Sequence, residues 1–212
     1  MPEVLLIGAS GLAREVASAM ADSHWNVVGI LDDDASLHGS QISGVDVIGG
    51  LNMTSERDEL LLICLGSGSS RRKVVDRLAV AGVSVDRYAT FIDATARIPS
   101  TVTMGPGSIV LAGCVLTADL SVGRHVVLMP LVVLTHDDIV EDFVTIAAGV
   151  SVGGYAVLAE ESYLGMNCSV RQRITVGKAA VVGMGSVVVK DVPAGETWVG
   201  IPARRLVNRD RN

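Results

Sequence analysis

The chain has 212 residues, enough for one large domain or two modest ones, and its net charge of −6 argues against a nucleic-acid partner. Apolar residues make up 49% of it but aromatic residues only 3%, so aliphatic side chains must fill the core. No apolar run of about 18 residues predicts a membrane span, and the first residues lack the pattern of a secretory signal. Three cysteines without disulfide-like spacing favour a cytoplasmic protein.

The first part of the chain predicts a small Rossmann-like α/β domain over 1–88. Strands are predicted over 4–8, 25–34 and 58–65, and helices over 12–23 and 71–82. A GASG turn joins the first strand to the first helix, and Gly82 marks the end of the second helix. Strands that alternate with helices in this way are typical of a small parallel sheet.

From Ile92 onward the sequence repeats every six residues. At each step of six up to Val188 the residue is aliphatic or Met, over seventeen positions without exception. This period predicts a β-solenoid, whose coils bury their side chains only against one another. We expect the aliphatic residue at the corners of each coil, and small residues where the strands turn.

The spacing resembles the left-handed parallel β-helix of hexapeptide-repeat acyltransferases, in which three hexads make one triangular coil. The resemblance implies about five coils between residues 92 and 188. The ending KDVPAGETWVGIPARRL, residues 190–206, is similar to the exit from that family's column. We therefore expect a second domain, a left-handed β-helix with a C-terminal extension, over 89–212.

The segment LTHDDIVED, residues 134–142, places His136 at the third position of its hexad. One coil away lie Ala118 and Gly154, which are small and leave space for an imidazole ring. Asp137 can hydrogen-bond that ring and hold one tautomer for general-base work. Asp138 falls at a fifth position, usually small or inward, and such a broken pattern is expected near a functional site. We predict that His136 and Asp137 are catalytic.

The repeat register also sorts the other reactive side chains. Cys114 and Cys168 both occupy fifth positions and are expected inside the column, while Cys64 lies in an apolar strand. His125 is at a fourth position, eleven residues before His136, so the two histidines do not stack. A zinc site built from three histidines, as in related carbonic anhydrases, is disfavoured, and we predict no metal.

The order of motifs along nearly the whole chain resembles one family. IGASG, ILDDD, GVDVIGG, LGSGSSRRKV, HDDIVEDF and VGIPAR follow one another. They resemble the bacterial sugar acetyltransferases of the sialic acid O-acetyltransferase and UDP-N-acetylbacillosamine N-acetyltransferase type. The resemblance implies a homotrimer in which the first domain holds a free or nucleotide-linked sugar. Acetyl-CoA would then bind the β-helix in grooves between neighbouring chains.

The resemblance also implies site residues. The sugar or nucleotide pocket would be lined by Ser10, Gly11, Leu12, Asp32, Asp33, Gly66 and Ser67. The acetyl-CoA contacts would fall on Thr145, Gly154, Met166, Gly183 and Met184. Four arginines are candidates to bind the phosphates of CoA, and the alternative is that they form a solvent-exposed face: Arg171, Arg173, Arg204 and Arg205. The alternatives for GASG are a plain turn or a dinucleotide site, and the latter is disfavoured because this half is too short for a complete doubly wound fold.

Two positions depart from the family pattern. The family usually reads GASGHG, whereas this chain reads GASGLA, with Leu12 and Ala13 in place of His and Gly. Close relatives carry a second histidine where this chain has Thr145.

Our first hypothesis is an acetyl-CoA-dependent N-acetyltransferase that acts on a nucleotide-linked amino sugar in bacterial surface glycan biosynthesis. His136 would be the general base in direct transfer, without a covalent enzyme intermediate. O-acetylation of a sugar hydroxyl uses the same geometry. A catalytically lapsed scaffold is a third hypothesis, supported by Leu12 and Thr145, and a metal-dependent hydratase is disfavoured by the number of histidines.

Overall fold

The computed structural model describes residues 1–207, and it confirms the predicted fold class. A sheet with two helices forms the first part, and triangular coils stacked into a left-handed β-helix form the second. The change from one to the other falls between Tyr88, which bridges to Leu61 of the first sheet, and Phe91, which opens the first strand of the coils. Within residues 1–207, no helix is long and apolar enough to cross a membrane.

The N-terminal sheet has five strands in the order β3-β4-β2-β1-β5. Their bounds are β1 Glu3–Ile7, β2 Asn26–Leu31, β3 Gln41–Ile42, β4 Val45–Gly49 and β5 Leu60–Ile63. The central strands pair in parallel, and only β3 runs antiparallel, against β4. Strands β3 and β4 were not predicted, because β3 is two residues long and β4 carries Asp46 between apolar residues, so neither shows a strong period.

Two helices follow the carboxyl ends of β1 and β5. Helix α1 spans Gly11–Ala21 and helix α2 spans Gly68–Val80. Ser10 caps α1 by accepting the N–H groups of Leu12 and Ala13, and Ser67 caps α2 by accepting the N–H group of Ser70. Because of this cap, α2 begins three residues before the predicted start at Arg71.

Strands of two or three residues build the three flat faces of the β-helix. Face 1 contains β6 Phe91–Ile92, β8 Ile109–Val110, β11 Val127–Leu128, β14 Thr145–Ile146, β17 Tyr163–Leu164, β20 Val181–Val182, β22 Thr197–Val199 and β23 Arg204–Arg205. Face 2 contains β9 Val115–Leu116, β12 Val133–Leu134, β15 Ser151–Val152, β18 Ser169–Val170 and β21 Val187–Val188. Face 3 contains β7 Thr103–Met104, β10 Ser121–Val122, β13 Ile139–Val140, β16 Val157–Leu158 and β19 Thr175–Val176.

The chain runs from face 1 to face 2 to face 3 and back, so strands 18 residues apart pair in parallel. Faces 2 and 3 each hold five strands, which confirms the predicted number of coils. The placement of the repeated aliphatic residue was predicted wrongly. It is the second residue of each strand and lies on a flat face, while the turns occupy the third and fourth hexad positions.

The backbone geometry sets different requirements at different positions of the hexad. Fourth-position residues turn the chain with a positive φ, as Asp119 does at 52° and Asn167 at 56°. Second-position glycines let coils approach, since a Cβ on Gly123 would lie 2.7 Å from the backbone nitrogen of Asp142 in the next coil. Ile92 is 44% exposed rather than inward, because it lies in the first strand of the column, with no coil beneath it.

The core of the column is aliphatic and includes two of the cysteines. Cys114 and Cys168 are fully buried there, as the register predicts, and burial raises the pKa of each thiol, to about 11 and about 12. Cys64 is also buried, beside the apolar strands of the N-terminal sheet. All three are free thiols, and their burial makes them packing residues rather than nucleophiles.

The N-terminal domain packs against the outer side of face 1. Outward residues of the first coils, Phe91, Ile109 and Val127, join the apolar cluster that α1 forms with its sheet. Further up the column the same outward position is exposed, since Tyr163 and Val181 are not covered by the domain. The covered coils therefore fix where the first domain lies along the column.

Arg71 joins the two domains through a fully buried guanidinium. Its donors reach the carbonyl oxygens of Leu65, Gly66, His125, Phe143 and Val144, and the hydroxyl oxygen of Thr145. Burial lowers its pKa to about 10, so the group stays charged at neutral pH. Carbonyl dipoles stabilise the charge. Six oxygens from both domains accept hydrogen bonds from this one side chain.

We expect Arg71→Met to lower the free energy of unfolding by about 3 kcal/mol or more, because several buried oxygens would lose their donor. Urea unfolding at pH 7 measures this. Arg77→Met in the same helix is the matched control, since Arg77 is exposed and pairs only with Asp33 at the surface. The control should cost less than about 1 kcal/mol, and equal losses for the two variants would contradict this account.

Candidate active site

His136 lies in a turn at the corner between face 2 and face 3. The His136 turn, residues 135–138, joins β12 to β13, and Asp137 makes the bend with a φ of 60°. The side chain of His136 is 57% exposed, so its ring is open to a second molecule. This is the arrangement that the hexad register predicts for a third-position histidine.

The imidazole is oriented by the neighbouring carboxylate. Nδ1 of His136 lies 2.8 Å from Oδ2 of Asp137. A carboxylate accepts hydrogen bonds only, so Nδ1 carries a proton, and in the neutral imidazole Nε2 keeps its lone pair. In that neutral form Nε2 is the nitrogen that can accept a proton, as a general base requires.

Residues of the next coil pack against the imidazole. A Cβ on Gly154 would lie 2.7 Å from Cε1 and Nε2 of His136, so a larger residue would displace the ring from its present position. Tyr155 meets the ring edge-on at 5.2 Å, and the guanidinium of Arg173 lies 4.5 Å above the centre of the Tyr155 ring. Together with Gln172 these residues line a cavity of about 170 Å³ at the corner.

The four candidate arginines are not equivalent. Arg173 is the one that shares this cavity with His136. Arg171 is exposed, and Arg204 and Arg205 lie on β23, where Arg205 pairs with Glu196 at 3.3 Å. Of the four, Arg173 is therefore the cation best placed to meet an anionic group near the histidine.

Asp138 is fully buried beneath the His136 turn. Its Oδ2 accepts the backbone N–H of Thr135 and its Oδ1 accepts the backbone N–H of Ala156, both at 2.9 Å. Burial raises the pKa of this carboxyl to about 6, against the two backbone hydrogen bonds, which lower it. The residue that broke the hexad pattern thus bonds two coils together under the histidine.

A second, larger cavity lies between the N-terminal domain and face 1. Its volume is about 520 Å³, and we refer to it as the interdomain cavity. The first domain lines it with Gly11, Leu12, Glu15 and Gly66, and the β-helix lines it with residues that include Val127, Met129, Thr145, Ala147, Ala148 and Met166. Most of these are apolar, so the cavity fits an uncharged organic group better than a phosphate.

The predicted sugar-site residues divide by role. Gly11, Leu12 and Gly66 line the interdomain cavity. The Ser10 hydroxyl caps α1 and donates to the carbonyl of Cys64, and the Ser67 hydroxyl caps α2, so both hold helix starts at the edge of the cavity. Leu12 is 7% exposed and supplies apolar surface where the family usually has histidine.

The two predicted acids are tied into the N-terminal domain. Asp32 accepts the backbone N–H of Ala9 at 2.7 Å, which braces the GASG turn. Asp33 forms an ion pair with Arg77 and accepts the N–H of Leu51, and the hydrogen bond from Arg77 holds the pKa of Asp33 below its usual range. Neither acid lines the interdomain cavity.

The predicted acetyl-CoA residues fall at two different places. Thr145 and Met166 line the interdomain cavity, and Gly183 and Met184 lie further up the same side, at the turn between faces 1 and 2. Gly154 lies instead beneath His136 at the corner of faces 2 and 3. The Thr145 hydroxyl donates to Gly66 and accepts from Arg71, so it joins the domains and is not free to bind a ligand.

His125 is a packing residue. It lies at the third corner, between faces 3 and 1, and is 1% exposed. Its ring stacks on Phe143 at 5.2 Å and meets Tyr88 edge-on, and burial lowers its pKa to about 4. In the part of the chain that the structure describes, no three His, Cys, Asp or Glu side chains converge as metal ligands would.

A cavity larger than the interdomain cavity lies away from all of these residues. It measures about 680 Å³, is lined by charged residues that include Glu3, Glu56 and Glu59, and lies near the starts of β1 and β5. In parallel α/β sheets, ligands bind beyond the carboxyl ends of the strands, which is the end where α1 and α2 begin. The interdomain cavity meets that rule, and the acidic cavity does not.

His136 and the interdomain cavity occupy different corners of one chain. The cavity lies on face 1 and its turn to face 2, whereas His136 lies at the turn from face 2 to face 3. The whole of face 2 separates them. A single chain therefore does not bring the base to the cavity.

Residues 3–78 match the family model described as the PglD N-terminal domain. A serine acetyltransferase from Bacillus pumilus is 39% identical over 34% of this chain and 39% of its own length. A UDP-3-O-acylglucosamine N-acyltransferase from Caulobacter is 33% identical over 50% of this chain and 30% of its own length. The chain thus spans well under half the length of these curated relatives.

Solved structures match nearly the whole chain. WeeI from Acinetobacter baumannii is 28% identical, with a TM-score of 0.85, over 97% of this chain and 100% of that one. PerB from Caulobacter crescentus, in complex with CoA and GDP-perosamine, is 27% identical, with a TM-score of 0.82, over 98% of each chain. The acetyltransferase domain of PglB from Neisseria gonorrhoeae, with acetyl coenzyme A, has 27% identity, a TM-score of 0.82 and coverage of 96% and 98%.

The two-domain fold, an α/β domain followed by a left-handed β-helix, is the fold of hexapeptide-repeat acyltransferases. The family model matches the N-terminal domain, and the solved structures match both domains. In these comparisons the chain is similar to sugar acetyltransferases, the family that its motifs resemble.

We expect the destabilisation caused by Asp138→Asn to depend on pH. The folded-state pKa of about 6 lies above the ordinary 3.8, so the native state binds this proton more tightly than the unfolded state. The resulting stabilisation is complete below about pH 4 and is lost as the pH rises through 6, by up to roughly 3 kcal/mol. Asparagine does not titrate at this position, so the variant does not gain this stabilisation as the pH falls. The free energy of unfolding of Asp138→Asn should therefore lie further below that of the natural chain at pH 4.5 than at pH 7.5.

Urea unfolding at the two pH values measures the difference. Asp119→Asn is the control, because Asp119 is an exposed residue of the same corner. A cost of Asp138→Asn that is equal at both pH values would contradict the burial of an ionisable carboxyl.

Proposed function

We propose that this protein is an acetyl-CoA-dependent N-acetyltransferase that acts on the amino group of a nucleotide-linked sugar. The observation that carries the proposal is the His136–Asp137 pair, in which the 2.8 Å contact places a proton on Nδ1, so that Nε2 of the neutral ring can accept one, on a side chain that is 57% exposed. Solved relatives support the substrate class, because PerB was crystallised with CoA and GDP-perosamine. Nucleotide-linked amino sugars are precursors of surface glycans, so we also propose a role in glycan biosynthesis in the cytoplasm.

In the proposed reaction the sugar amine attacks the thioester carbonyl of acetyl-CoA. A C–N bond forms, and Nε2 of His136 takes the proton that the nitrogen loses. The C–S bond then breaks, and the CoA thiolate leaves and is protonated by the imidazolium. Asp137 keeps the ring oriented and stabilises its positive charge. The three buried cysteines take no part, which agrees with direct transfer.

A composite site explains why one chain separates the base from the cavity. We propose a homotrimer, in which the His136 corner of one chain faces the interdomain cavity of the next. A head-to-tail contact of this kind closes into a ring when the rotation between chains is right. The same arrangement would reunite the predicted acetyl-CoA residues, since Gly154 lies with His136 and Met166 lies with the cavity.

The two departures from the family pattern fit an active enzyme better than a lapsed scaffold. The Thr145 hydroxyl is used in the domain junction, and it leaves the His136–Asp137 pair untouched. Leu12 makes the interdomain cavity more apolar, which fits the pantetheine arm or a deoxygenated edge of a sugar. Neither change removes the proposed base.

We expect His136→Ala to lower kcat by about 100-fold or more, because the amine would lose its proton acceptor. Release of CoA thiol, measured with acetyl-CoA and a panel of nucleotide-linked amino sugars, tests this. The KM for acetyl-CoA should change little. His24→Ala is the control, since His24 lies beyond α1 and outside the proposed site. Full activity of His136→Ala would exclude the general-base role.

We expect two inactive variants to restore activity when they are co-expressed. His136→Ala removes the base, and Gly66→Trp fills the interdomain cavity at a position where a Cβ meets no atom within 4 Å. In mixed trimers about a third of the sites would pair an intact histidine with an intact cavity, because one of the three interfaces joins the two intact halves. Purification through two different tags and the thiol assay measure the recovery. Mixed assemblies without activity would show that each site belongs to one chain.

A further inference from the structure

Asp138 has a side chain unlike those that occupy its position in the neighbouring coils. The fifth hexad position at the corner of faces 2 and 3 holds Leu120 one coil before it, and Ala156 and Ile174 after it. All three of these are buried and apolar. Burying a carboxylate completely in such a column raises the free energy of the folded state unless hydrogen bonds compensate for the lost water. The hydrogen bonds of Asp138 therefore indicate what the residue contributes.

Those contacts enclose the histidine. Thr135, whose N–H donates to Oδ2, directly precedes His136, so this bond closes the His136 turn across its own two ends. Ala156, whose N–H donates to Oδ1, follows Gly154 and Tyr155, the two residues against which the imidazole packs. One side chain therefore holds both the turn that carries the ring and the surface beneath the ring.

In another coil a serine hydroxyl makes the corresponding hydrogen bond between coils. Ser108 also occupies a fifth position, and its hydroxyl accepts the N–H of Val126, 18 residues further on, at 3.1 Å. This matches the bond from Ala156 to Asp138 in register. A serine would thus suffice to join the coils, and the second carboxylate oxygen is what adds the bond to Thr135.

We propose that Asp138 is a positioning residue for the transfer reaction, which holds the His136 ring and its Gly154–Tyr155 support in one fixed arrangement. It touches neither substrate and acts only through backbone N–H groups. The proposal rests on the proposed function of His136. A loosened turn would leave substrate binding intact and would lower the fraction of time in which Nε2 is aligned with the amine.

Asp138→Ser tests this, because serine retains an acceptor for Ala156 and removes the bond to Thr135. We expect kcat to fall roughly 10- to 100-fold, with the KM for both substrates within about twofold of the natural value. Ile174→Ala is the matched control, since it damages the same buried column two coils further on and should lower the melting temperature without lowering kcat. An unchanged kcat in Asp138→Ser, or a fall matched by Ile174→Ala, would overturn the proposal.

A second readout does not depend on activity. In ¹⁵N-histidine NMR spectra the natural chain should show His136 as a single tautomer with the proton on Nδ1, and Asp138→Ser should show exchange between tautomers. Asp138→Asn serves as the second variant if the serine variant does not fold, because asparagine keeps one acceptor oxygen and should also show exchange. A fixed tautomer in a folded variant would overturn the proposal, whereas natural protein without thiol release would count against the proposed function alone.

Discussion

The hydrogen bonds that stack each coil on the one 18 residues before it are the constraint on which the rest of the structure depends. They are uniform, with N to O distances such as 2.9 Å for Val133 to Val150 and 2.8 Å for Gly123 to Val140. Because the register does not slip, any residue meets the residues 18 positions before and after it. Gly154 therefore lies under His136, and the spacing of 18 residues gives the ring both the room that it occupies and the surface on which it packs.

The N-terminal domain is placed on this column by a single buried cation. Arg71 reaches the carbonyl oxygens of His125 and Phe143, which belong to successive coils of one corner, as well as those of its own domain. Because these oxygens are fixed by the stacking, the domain is fixed along the column, and the interdomain cavity is formed between them. Thr145 shares in this junction, which gives a physical reason for its departure from histidine.

Much of this could be predicted from the sequence, because a period of six is a strong signal. It located the buried Cys114 and Cys168, the exposed His136 and the small residue beneath it. Arg71 could not be predicted, since a charged residue in a polar helix has no mark that it will be buried against another domain. The two hydrogen bonds of Asp138 could not be predicted either, although the break in the hexad pattern at this position marked the residue as unusual.

The separation of His136 from the interdomain cavity could have been found from the repeat. His136 and Thr145 are nine residues apart, one and a half hexads, so they cannot lie at equivalent places on one side of a triangular coil. The position of the N-terminal domain on face 1 could not be read in the same way, because it depends on contacts between distant segments. The sequence therefore did not show that the predicted site residues divide between two corners.

A crystal structure of the protein with CoA tests the central claim most directly, since that claim is a transfer site shared between two chains. We predict that the CoA sulfur lies beside Nε2 of His136 of one chain, in a groove that the interdomain cavity of a neighbouring chain completes. CoA bound in a groove of a single chain, with its sulfur remote from every His136, would contradict the account.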